Sequence, residues 1–428
     1  MADYKTINDT VHGTIRLDPM VRDLMETLEI QRLSGIRQLG LTYLVFPGAN
    51  HSRIEHCLGV SHVAGKLADA LGLPPEEKGL VMAAGLLHDV GHGPFSHTLE
   101  HILSSKLAID HMHLTQSIIL GEDDNVRPEE REAFPDVPRV PAVLEDHGVA
   151  PKQVAALIRG PPESMTLRTA KRNLAGRHLG QIIHSAIDAD QIDYLMRDAH
   201  YTGAAHGMID ANRIYQTVGL RDGELVVDRK GLPALEGMLV ARALMYSSVY
   251  FHKTVRIAEQ MIARAVERAG SDVREVQKMV DAELLQWLAE QGEYPREIAM
   301  RIKFRRLYKR VWDRGREDLT DAQREALLDL ADPPKRRRAE DAICKRAGVP
   351  PGRAIVDIPL PELLISEPRI AMTDVKVLDG DRVRYFRTVS PLGRALQLRQ
   401  VSDWVVMVAA DPKHRATVAK AAERVLFP

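Results

Sequence analysis

Histidine and aspartate are concentrated in one short stretch of this chain, residues 83–97, whose sequence is AAGLLHDVGHGPFSH. An apolar run leads into a glycine-rich turn, and the polar side chains that follow it are His88, Asp89, His92 and His97. Side chains this polar are costly to place beside a core unless something compensates them, and a bound cation is an effective compensation. The stretch therefore predicts a site that binds metal or handles protons.

Two residues outside this stretch could complete a metal site. His56 lies on a segment that turns and then re-enters a helix, and Asp190 lies among the periodic apolar residues of 180–203. An octahedral divalent ion needs about four nitrogen and oxygen ligands, with positions left for water or substrate. The candidates, from three separate predicted helices, are His56, His88, Asp89 and Asp190. The residue types alone leave a second interpretation open, in which the histidines are buried and hydrogen-bonded and Asp190 caps a helix or forms an ion pair.

Apolar periodicity predicts the helices that would position these residues. Residues 58–71 and 78–89 form two predicted helices separated by a Pro-Pro break, and the second is apolar on nearly all sides, which indicates burial. Further helices are predicted over 180–203 and 239–268. Residues 5–17 instead have the character of a short strand or an extended arm.

The pattern changes twice after this helical region. Charged helices with a basic face over 301–310 follow it, and β alternation begins after Pro351, before a final helix. We therefore predict a mainly α fold with a catalytic core over 1–270, a helical extension with a basic helix over 271–350, and a small α+β lobe over 351–428.

The composition narrows the class of protein. The 428 residues exceed the size at which one hydrophobic core stops growing, and 45% of them are hydrophobic but only 5% aromatic, which favours helices over sheets. A net charge of −1, from 58 basic and 59 acidic residues, provides no overall field that would attract nucleic acid or a membrane surface. Two distant cysteines, Cys57 and Cys344, disfavour a disulfide framework and a thiolate zinc site. Without a signal sequence or an apolar stretch of about 18 residues, the chain is expected to be cytoplasmic.

Three motifs carry a resemblance to a known family. They are H-x-R-x-E-H over 51–56, H-D-x-G-H-G-P-F-S-H over 88–97 and D-x-D-x-x-D-Y-x-x-R-D over 188–198, and they match in order and spacing together. The chain resembles the HD-domain phosphohydrolases, and more narrowly the deoxynucleoside triphosphate triphosphohydrolases that include a vertebrate enzyme with a sterile-alpha-motif domain. No counterpart of that N-terminal domain is expected here. The resemblance implies an HD-domain helical core.

The resemblance assigns roles by position. It implies four metal ligands, which are His56, His88, Asp89 and Asp190. The ion would be divalent, and Mn, Fe, Mg, Ni and Zn are all compatible. The resemblance also makes His92 a catalytic residue next to the metal and pairs His113 with Glu100 as acid and base. An imidazole held by a carboxylate can protonate a leaving alkoxide, and the alternative for His113 is an ordinary surface histidine.

Substrate contacts are implied in the same way. The positions that would bind phosphate are Arg53, His97 and Arg242. Arginine suits this role because its planar fork donates two hydrogen bonds at once. The positions that would hold the deoxyribose are Gln38, Leu39, Tyr194, Asp198 and Tyr250. For Tyr250, a core aromatic on a helix is an equally good interpretation.

Two positions depart from the family pattern. Gln191 stands where the nucleotide-hydrolysing members usually carry a basic residue directed at the phosphates, so the phosphate length of the substrate is open. Ser34 stands where nucleotide-activated members have an arginine that contacts guanine. The phosphate side of that activator pocket is matched by Asn8, Arg305 and Lys309, and a solvated basic helix face is the alternative for the last two. The family also implies a homo-oligomer, either a dimer or a tetramer.

The sequence thus predicts a metal-dependent phosphohydrolase. In the leading hypothesis, water attacks the α-phosphorus of a deoxynucleoside triphosphate, triphosphate and deoxynucleoside are released, and His113 assists the leaving group. One alternative is an HD phosphatase that acts on another nucleotide or a phosphate monoester, which Gln191 favours. Another is a catalytically idle nucleotide-binding oligomer, which the intact ligand set disfavours.

Overall fold

The computed structural model describes residues 5–96, 98–99, 102, 110–159, 177–270, 273–358, 375–398 and 405–427. Helices predominate in these residues, which confirms the predicted mainly α fold. The helices are α1 Pro19–Met25, α2 Leu28–Gln31, α3 Arg53–Ala70, α4 Pro75–Leu87, α5 His111–Leu120, α6 Pro128–Ala133, α7 Val140–Asp146, α8 Pro151–Arg159, α9 Arg177–Ile183, α10 Ala189–Thr202, α11 Ala211–Thr217, α12 Leu232–Met245, α13 Lys253–Ala269, α14 Val273–Lys278, α15 Asp281–Glu290, α16 Glu293–Lys303, α17 Asp321–Leu328, α18 Pro333–Ala347, α19 Phe386–Val389, α20 Pro391–Leu398 and α21 Arg415–Leu426. The strands are β1 Thr6–Asp9, β2 Gly13–Arg16, β3 Val218–Arg221, β4 Glu224–Asp228, β5 Lys309–Gly315, β6 Ala354–Asp357, β7 Lys376–Asp379, β8 Arg382–Tyr385 and β9 Val405–Ala410.

The chain forms two compact units, and each is discontinuous in sequence. Unit 1 comprises Met1–Val249, Val273–Asp281 and Met372–Gln397. Unit 2 comprises Tyr250–Asp272, Ala282–Ala371 and Leu398–Pro428. The predicted boundaries at residues 270 and 350 both fall inside segments of unit 2. Within the described part of the chain, none of the helices combines the length and the apolar character that crossing a membrane requires.

Helices α3, α4 and α10 pack together in unit 1 and carry or adjoin the predicted metal ligands. Helix α3 begins at Arg53, and the carboxylate of Glu55 accepts the backbone N–H of Ser52 at 2.6 Å, which closes the first turn. Helix α4 ends directly before the HD motif. Helix α10 begins after Asp188, whose carboxylate accepts the backbone N–H of Gln191 at 2.7 Å as an N-cap.

An N-terminal hairpin precedes these helices, which confirms the strand predicted within residues 5–17. Strands β1 and β2 pair antiparallel, with Asp9 opposite Gly13. The turn is held by the carboxylate of Asp9, which accepts the backbone N–H groups of Val11 and His12 at 2.9 and 2.8 Å. Gly13 has a φ of +71°, a conformation in which glycine is favoured because it has no Cβ.

The strands after Pro351 join two different sheets, one in each unit, whereas the sequence pattern predicts a single α+β lobe over 351–428. In unit 1, β4 pairs in parallel with β7, with Val227 opposite Val377, and the strand order is β3-β4-β7-β8. In unit 2, β9 lies between β5 and β6 and pairs antiparallel with both. Alternation along a strand shows which face is buried, but it does not identify a partner far away in the chain.

The predicted basic face over 301–310 does not lie on one helix, because α16 ends at Lys303, before Arg305 and Lys309. Arg305 has a φ of +52°, the left-handed conformation that follows many helix ends. The N–H of Arg305 bonds to the carbonyl of Ile302 at 3.1 Å, and that of Arg306 bonds to the carbonyl of Arg301 at 2.7 Å, which completes a Schellman motif. Lys309 then begins β5.

A buried ion pair ties α13 to α18 and β6 within unit 2. Nε of Arg264 donates to Oε1 of Glu340 at 2.8 Å, and the side chains are only 3% and 1% exposed. The same carboxylate oxygen accepts the N–H of Val356 at 3.0 Å, while Nη2 of Arg264 donates to the carbonyl of Val356 at 3.1 Å. Removal of Glu340 would leave the buried Arg264 guanidinium with only a longer carboxylate contact, 3.4 Å from its Nη1 to Oε1 of Glu267.

The substitution Glu340→Ala should therefore lower the free energy of unfolding by about 3 kcal/mol, the lower end of the range for a broken buried pair, because it removes the closer carboxylate of Arg264 and the acceptor of the Val356 N–H. Urea denaturation followed by circular dichroism measures this change. The matched control is Glu325→Ala, which removes an exposed glutamate of α17 and should change stability by less than about 0.5 kcal/mol. Equal effects of the two substitutions would contradict the structural role of the ion pair.

Candidate metal centre

Three of the predicted ligands meet at one point of unit 1. Potential ligand atoms of His56, His88 and Asp190 all lie within 4.8 Å of one another. Nε2 of His56 is 3.1 Å from Oδ1 of Asp190, and Nε2 of His88 is 3.8 Å from the same oxygen. Both histidines are buried, and the Asp190 side chain is 27% exposed, so the group has one partly open side.

Asp89 lies beside these three residues. Its Oδ1 is 3.4 Å from Nε2 of His88, and its Oδ2 is 4.0 Å from Nε2 of His56. The same Oδ2 forms an ion pair with the guanidinium of Arg53. The four residues whose types suit a divalent ion thus lie together, contributed by α3, by the turn after α4 and by the first turn of α10.

The hydrogen bonding of His88 shows that this donor set suits a cation. Nδ1 of His88 lies 2.8 Å from the carbonyl oxygen of Gly85, and a carbonyl can only accept, so Nδ1 carries the proton. In the neutral ring, Nε2 then presents a lone pair toward the carboxylates of Asp89 and Asp190. Lone pairs that face one another repel, and a metal ion among them removes the repulsion.

His56 is held between two carboxylates. Its Nδ1 is 2.8 Å from Oδ2 of Asp193, on the side of the ring opposite Asp190. Burial opposes a charge on this ring, but the hydrogen bonds to Asp190 and Asp193 outweigh it and raise the pKa of His56 to about 10. Metal binding at Nε2 therefore requires the loss of a proton.

Arg53 is a buried cation at the edge of this group. Nε donates to Oγ of Ser96 at 3.1 Å, and Nη1 pairs with Asp89. Nη2 is buried and has no hydrogen-bond partner among the described residues. A buried guanidinium nitrogen without a partner is costly, and an anionic ligand would satisfy it. His97, the neighbouring phosphate candidate, lies outside the described residues.

Gln191 makes internal contacts at both ends of its carboxamide. Its Oε1 accepts from Nη1 of Arg242 at 2.9 Å, and its Nε2 donates to the carbonyl of Ser185 at 2.6 Å and to Oδ2 of Asp188 at 3.1 Å. Arg242, the second predicted phosphate ligand, is itself 2% exposed. The residue that replaces the family's basic side chain therefore connects Arg242 to the N-cap of α10.

The histidines at the start of α5 face different surroundings. The ring of His92 stacks on that of His111, with centroids 4.3 Å apart, and Nε2 of His92 is 3.3 Å from Oδ1 of Asp89. His113 instead has Nδ1 at 2.8 Å from Oδ1 of Asp110, and its side chain is 44% exposed. Residues two positions apart on a helix point about 200° away from each other, so these two histidines serve different faces. Glu100, the predicted partner of His113, lies outside the described residues.

His111 is not among the site residues predicted from the sequence, but the structure brings its ring against that of His92. Asp110 caps α5, which makes His111 the first helical residue. Gly91 of the HD motif packs against this turn so closely that a Cβ there would lie 2.4 Å from the backbone nitrogen of Thr115 and 2.7 Å from the carbonyl oxygen of His111. The contact sets which residues of α5 approach the motif.

Of the predicted sugar residues in unit 1, Gln38 and Asp198 are buried, and Leu39 and Tyr194 are partly buried. Gln38 is 8% exposed, and its Oε1 has no partner among the described residues. Leu39 follows it, directly before a short 3-10 helix, Gly40–Leu44. Oδ1 of Asp198 is 2.9 Å from Nε2 of His51. Burial holds the pKa of Tyr194 well above its usual value.

The remaining predicted contacts are divided between the two units. Tyr250 belongs to unit 2, as do Arg305 and Lys309. Asn8 lies on β1 in unit 1, where its exposed Oδ1 accepts from Oγ1 of Thr14 at 3.0 Å. A sugar role for Tyr250 and an activator site built from Asn8, Arg305 and Lys309 stay predictions.

Comparison with known proteins settles the family. Residues 53–198 match the HD domain, and residues 209–427 match the HD associated region. The chain belongs to the HD-domain family. The resemblance drawn from the three motifs is thereby confirmed, and the chain is a metal-dependent phosphohydrolase of the HD superfamily.

Individual relatives agree with this assignment. The chain is 32% identical over 426 residues to an uncharacterized protein from Methanocaldococcus jannaschii, which covers 96% of this chain and 80% of that protein. It is 30% identical over 375 residues to the deoxynucleoside triphosphate triphosphohydrolase SAMHD1 of Danio rerio, covering 76% of this chain but only 58% of the fish enzyme. Among solved structures, a hypothetical protein from Aquifex aeolicus superposes with a TM-score of 0.71 at 25% identity, covering 98% of this chain and 100% of that one.

The substitution His88→Ala should reduce bound manganese by at least about tenfold, because loss of even a supporting group around a metal typically costs 10–100-fold in affinity. Elemental analysis of the manganese-to-protein ratio, after loading and gel filtration, measures the effect. His113→Ala is the matched control, since this histidine pairs with Asp110. Manganese content in His88→Ala equal to that of the control would contradict the proposed ligand set.

Proposed function

We propose that the chain hydrolyses deoxynucleoside triphosphates to deoxynucleoside and inorganic triphosphate. The observation that carries the proposal is the group of His56, His88, Asp89 and Asp190 with the guanidinium of Arg53 directly beside it. This combination suits a reaction in which a metal ion and a fixed cation act on the same phosphate. The similarity to a named deoxynucleoside triphosphate triphosphohydrolase supports the choice of substrate.

The metal ion, held by these four residues, would supply Lewis-acid activation of water and of a phosphoryl oxygen. The chain's own residues would do the rest. Nη2 of Arg53 would donate to a phosphate oxygen, and Arg242, held by Gln191, would provide a second cation for the polyphosphate. In the reaction, a water oxygen bonds to the α-phosphorus and loses a proton to solvent, the bond from that phosphorus to the 5′ oxygen breaks, and the 5′ oxygen takes up a proton.

We assign the donation of that proton to His111 rather than to His113. Histidine is the side chain best suited to proton transfer near neutral pH. His111 stacks on His92, which in turn contacts the metal ligand Asp89, so His111 is connected to the reaction centre through one neighbour. His113 is half exposed and paired with Asp110.

Recognition of the deoxyribose would use the buried polar groups next to α3. Oε1 of Gln38 is an acceptor without a partner among the described residues, and a sugar hydroxyl would satisfy it. Leu39 would form an apolar floor beside it. Asp198 would accept a second hydroxyl while His51 holds its other side. A site of this kind rejects an analogue that lacks the hydroxyl because its buried groups are then left unpaired.

A phosphatase that acts on another nucleotide or a phosphate monoester is the second candidate, and Gln191 is the observation that favours it. Both ends of its carboxamide are used within the protein, so the position adds no charge for a long polyphosphate. A shorter phosphate requires fewer cations. A catalytically idle nucleotide-binding oligomer is disfavoured by the complete ligand set.

A substrate panel separates these functions. Manganese-loaded protein should release triphosphate and deoxynucleoside from at least one deoxynucleoside triphosphate, tested alone and with added nucleotide activators. The rate should exceed phosphate release from deoxynucleoside monophosphates by at least about tenfold, equivalent to about 1.4 kcal/mol of extra transition-state binding. Asp89→Ala is the inactive control. Phosphate release from monophosphates, without triphosphate release under any activator condition, would support the second candidate instead.

The proton-transfer assignment has its own test. His111→Gln should lower kcat by about 100-fold or more, as expected for loss of a general acid, while manganese content stays unchanged. His113→Gln, two residues away on the same helix, is the matched control and should keep kcat within about threefold of the unsubstituted protein. The reverse pattern would return the role to His113.

A further inference from the structure

Asp193 is a fully buried carboxylate that stands behind the predicted metal ligand His56. It lies on α10 and receives hydrogen bonds from three side chains. Oδ2 is 2.8 Å from Nδ1 of His56 and 2.9 Å from Nε of Arg197. Oδ1 is 2.6 Å from Nε2 of His12 and 3.0 Å from Nη2 of Arg197. Each carboxylate oxygen thus has two donors, which leaves the group little freedom to rotate.

This arrangement fixes the orientation of the His56 ring. A carboxylate that accepts at Nδ1 holds the proton on that nitrogen and directs Nε2 to the opposite side, where Asp190 lies at 3.1 Å. Carboxylates in this position orient imidazole ligands and increase their basicity in many metal sites. Within the described part of the chain, Asp193 hydrogen-bonds to His56, His12 and Arg197 but to none of the other proposed ligands, so its action would pass through His56.

Helix α3 is shaped to accept this carboxylate. Gly59 lies one turn after His56, and a Cβ at this position would stand 1.9 Å from Oδ1 of Asp193 and 2.4 Å from Nη2 of Arg197. Any larger residue would therefore displace the carboxylate or the guanidinium. The glycine is a second, independent sign that the space behind His56 is built for this pair.

The N-terminal hairpin supplies the outer part of the same network. His12 lies in the turn between β1 and β2, and its side chain is only 7% exposed. Oδ2 of Asp9 accepts from Nη1 of Arg197 at 2.9 Å, while Oδ1 of Asp9 holds the backbone of the turn that presents His12. Most of the strand residues around them are exposed or half-buried. The side chains of His12 and Asp9 therefore make part of the contact between the hairpin and the buried interior of unit 1.

We propose that Asp193 is a positioning residue for the metal ligand His56, and that the hairpin completes this support through His12 and Asp9, so that metal retention depends on the docked hairpin. The inference rests on the proposed metal centre but not on the identity of the substrate. If it holds, the hairpin belongs to the metal site although it precedes His56, the first proposed ligand, by more than 40 residues.

Manganese binding to the full-length protein, stripped of metal and measured by titration calorimetry without substrate, tests this inference. Asp193→Asn should weaken binding by about 10–100-fold, because an amide cannot accept from all these donors. His12→Ala should weaken binding by about tenfold, the lower end of the same range. His12→Gln places an N–H donor at the reach of Nε2 and should restore binding to within about twofold of the unsubstituted protein.

The matched control is His147→Ala. His147 pairs with Asp23 at 2.8 Å in the same unit, and loss of this pair should leave the manganese dissociation constant unchanged. Thermal unfolding of the metal-free variants provides the second readout, since a purely structural network would lower the melting temperature of His12→Ala and leave its manganese affinity intact. If Asp193→Asn does not fold, the comparison of His12→Ala with His12→Gln carries the test.

The outcomes separate this inference from the proposed function. Two results would overturn this inference and leave the proposed function standing. One is unchanged manganese affinity in Asp193→Asn or His12→Ala, and the other is equal manganese affinity in His12→Ala and His12→Gln. Absence of manganese binding by the unsubstituted protein would overturn it together with the metal centre. The expected pattern of affinities supports the inference even if deoxynucleoside triphosphates prove not to be the substrate.

Discussion

Electrostatic repulsion among carboxylates and imidazole lone pairs is the constraint on which the centre of unit 1 depends. Asp89 and Asp190 lie close to the lone pair of His88, and such an arrangement is stable only with positive charge nearby. Arg53 and, without metal, the protonated ring of His56 supply part of that charge, and a divalent ion would take the place of the His56 proton at Nε2. Both histidines of the proposed ligand set also bond to a group on the far side of the ring: Nδ1 of His88 to the carbonyl of Gly85, and Nδ1 of His56 to Asp193. The ligand geometry thus depends on groups that would not themselves touch the metal.

The turn that follows the HD motif is held by residues from distant parts of unit 1. The side chain of Gln277 donates to the carbonyl of Gly91 at 2.8 Å, and the buried carboxylate of Asp281 accepts the N–H of Phe95 at 2.9 Å. Arg32 donates to the carbonyl of His92 at 2.9 Å. Phe95 has a φ of +44°, which a non-glycine residue adopts at a cost, so these contacts stabilise a strained turn. Strain of this kind is typical of functional sites in which side chains must be held at fixed positions.

The sequence predicted which residues come together at the site better than it predicted the contacts that hold them. Residue type and spacing identified the four proposed ligands that the structure brings together, because helices predicted from apolar periodicity carry or flank them. The family resemblance places the acid–base role on His113, and no local pattern decides between His113 and His111, because the side of α5 that faces the motif depends on where the helix begins and on the packing of Gly91. His12 and Asp193 are 181 residues apart, and no local pattern in the sequence indicates that they meet. Apolar periodicity also does not show that α16 ends before Arg305, because that end is set by a local left-handed turn. Nor does it show that β4 pairs in parallel with β7, because that pairing is a tertiary contact between distant segments.

The most direct test of this account is the position of a bound ion. Anomalous diffraction from crystals of the manganese-loaded protein, recorded at the manganese absorption edge, locates the metal independently of any assumption about its ligands. The account predicts one strong peak coordinated by Nε2 of His56, Nε2 of His88 and carboxylate oxygens of Asp89 and Asp190. A peak at another site, or a fully loaded crystal in which Nε2 of His88 does not coordinate manganese, would contradict it.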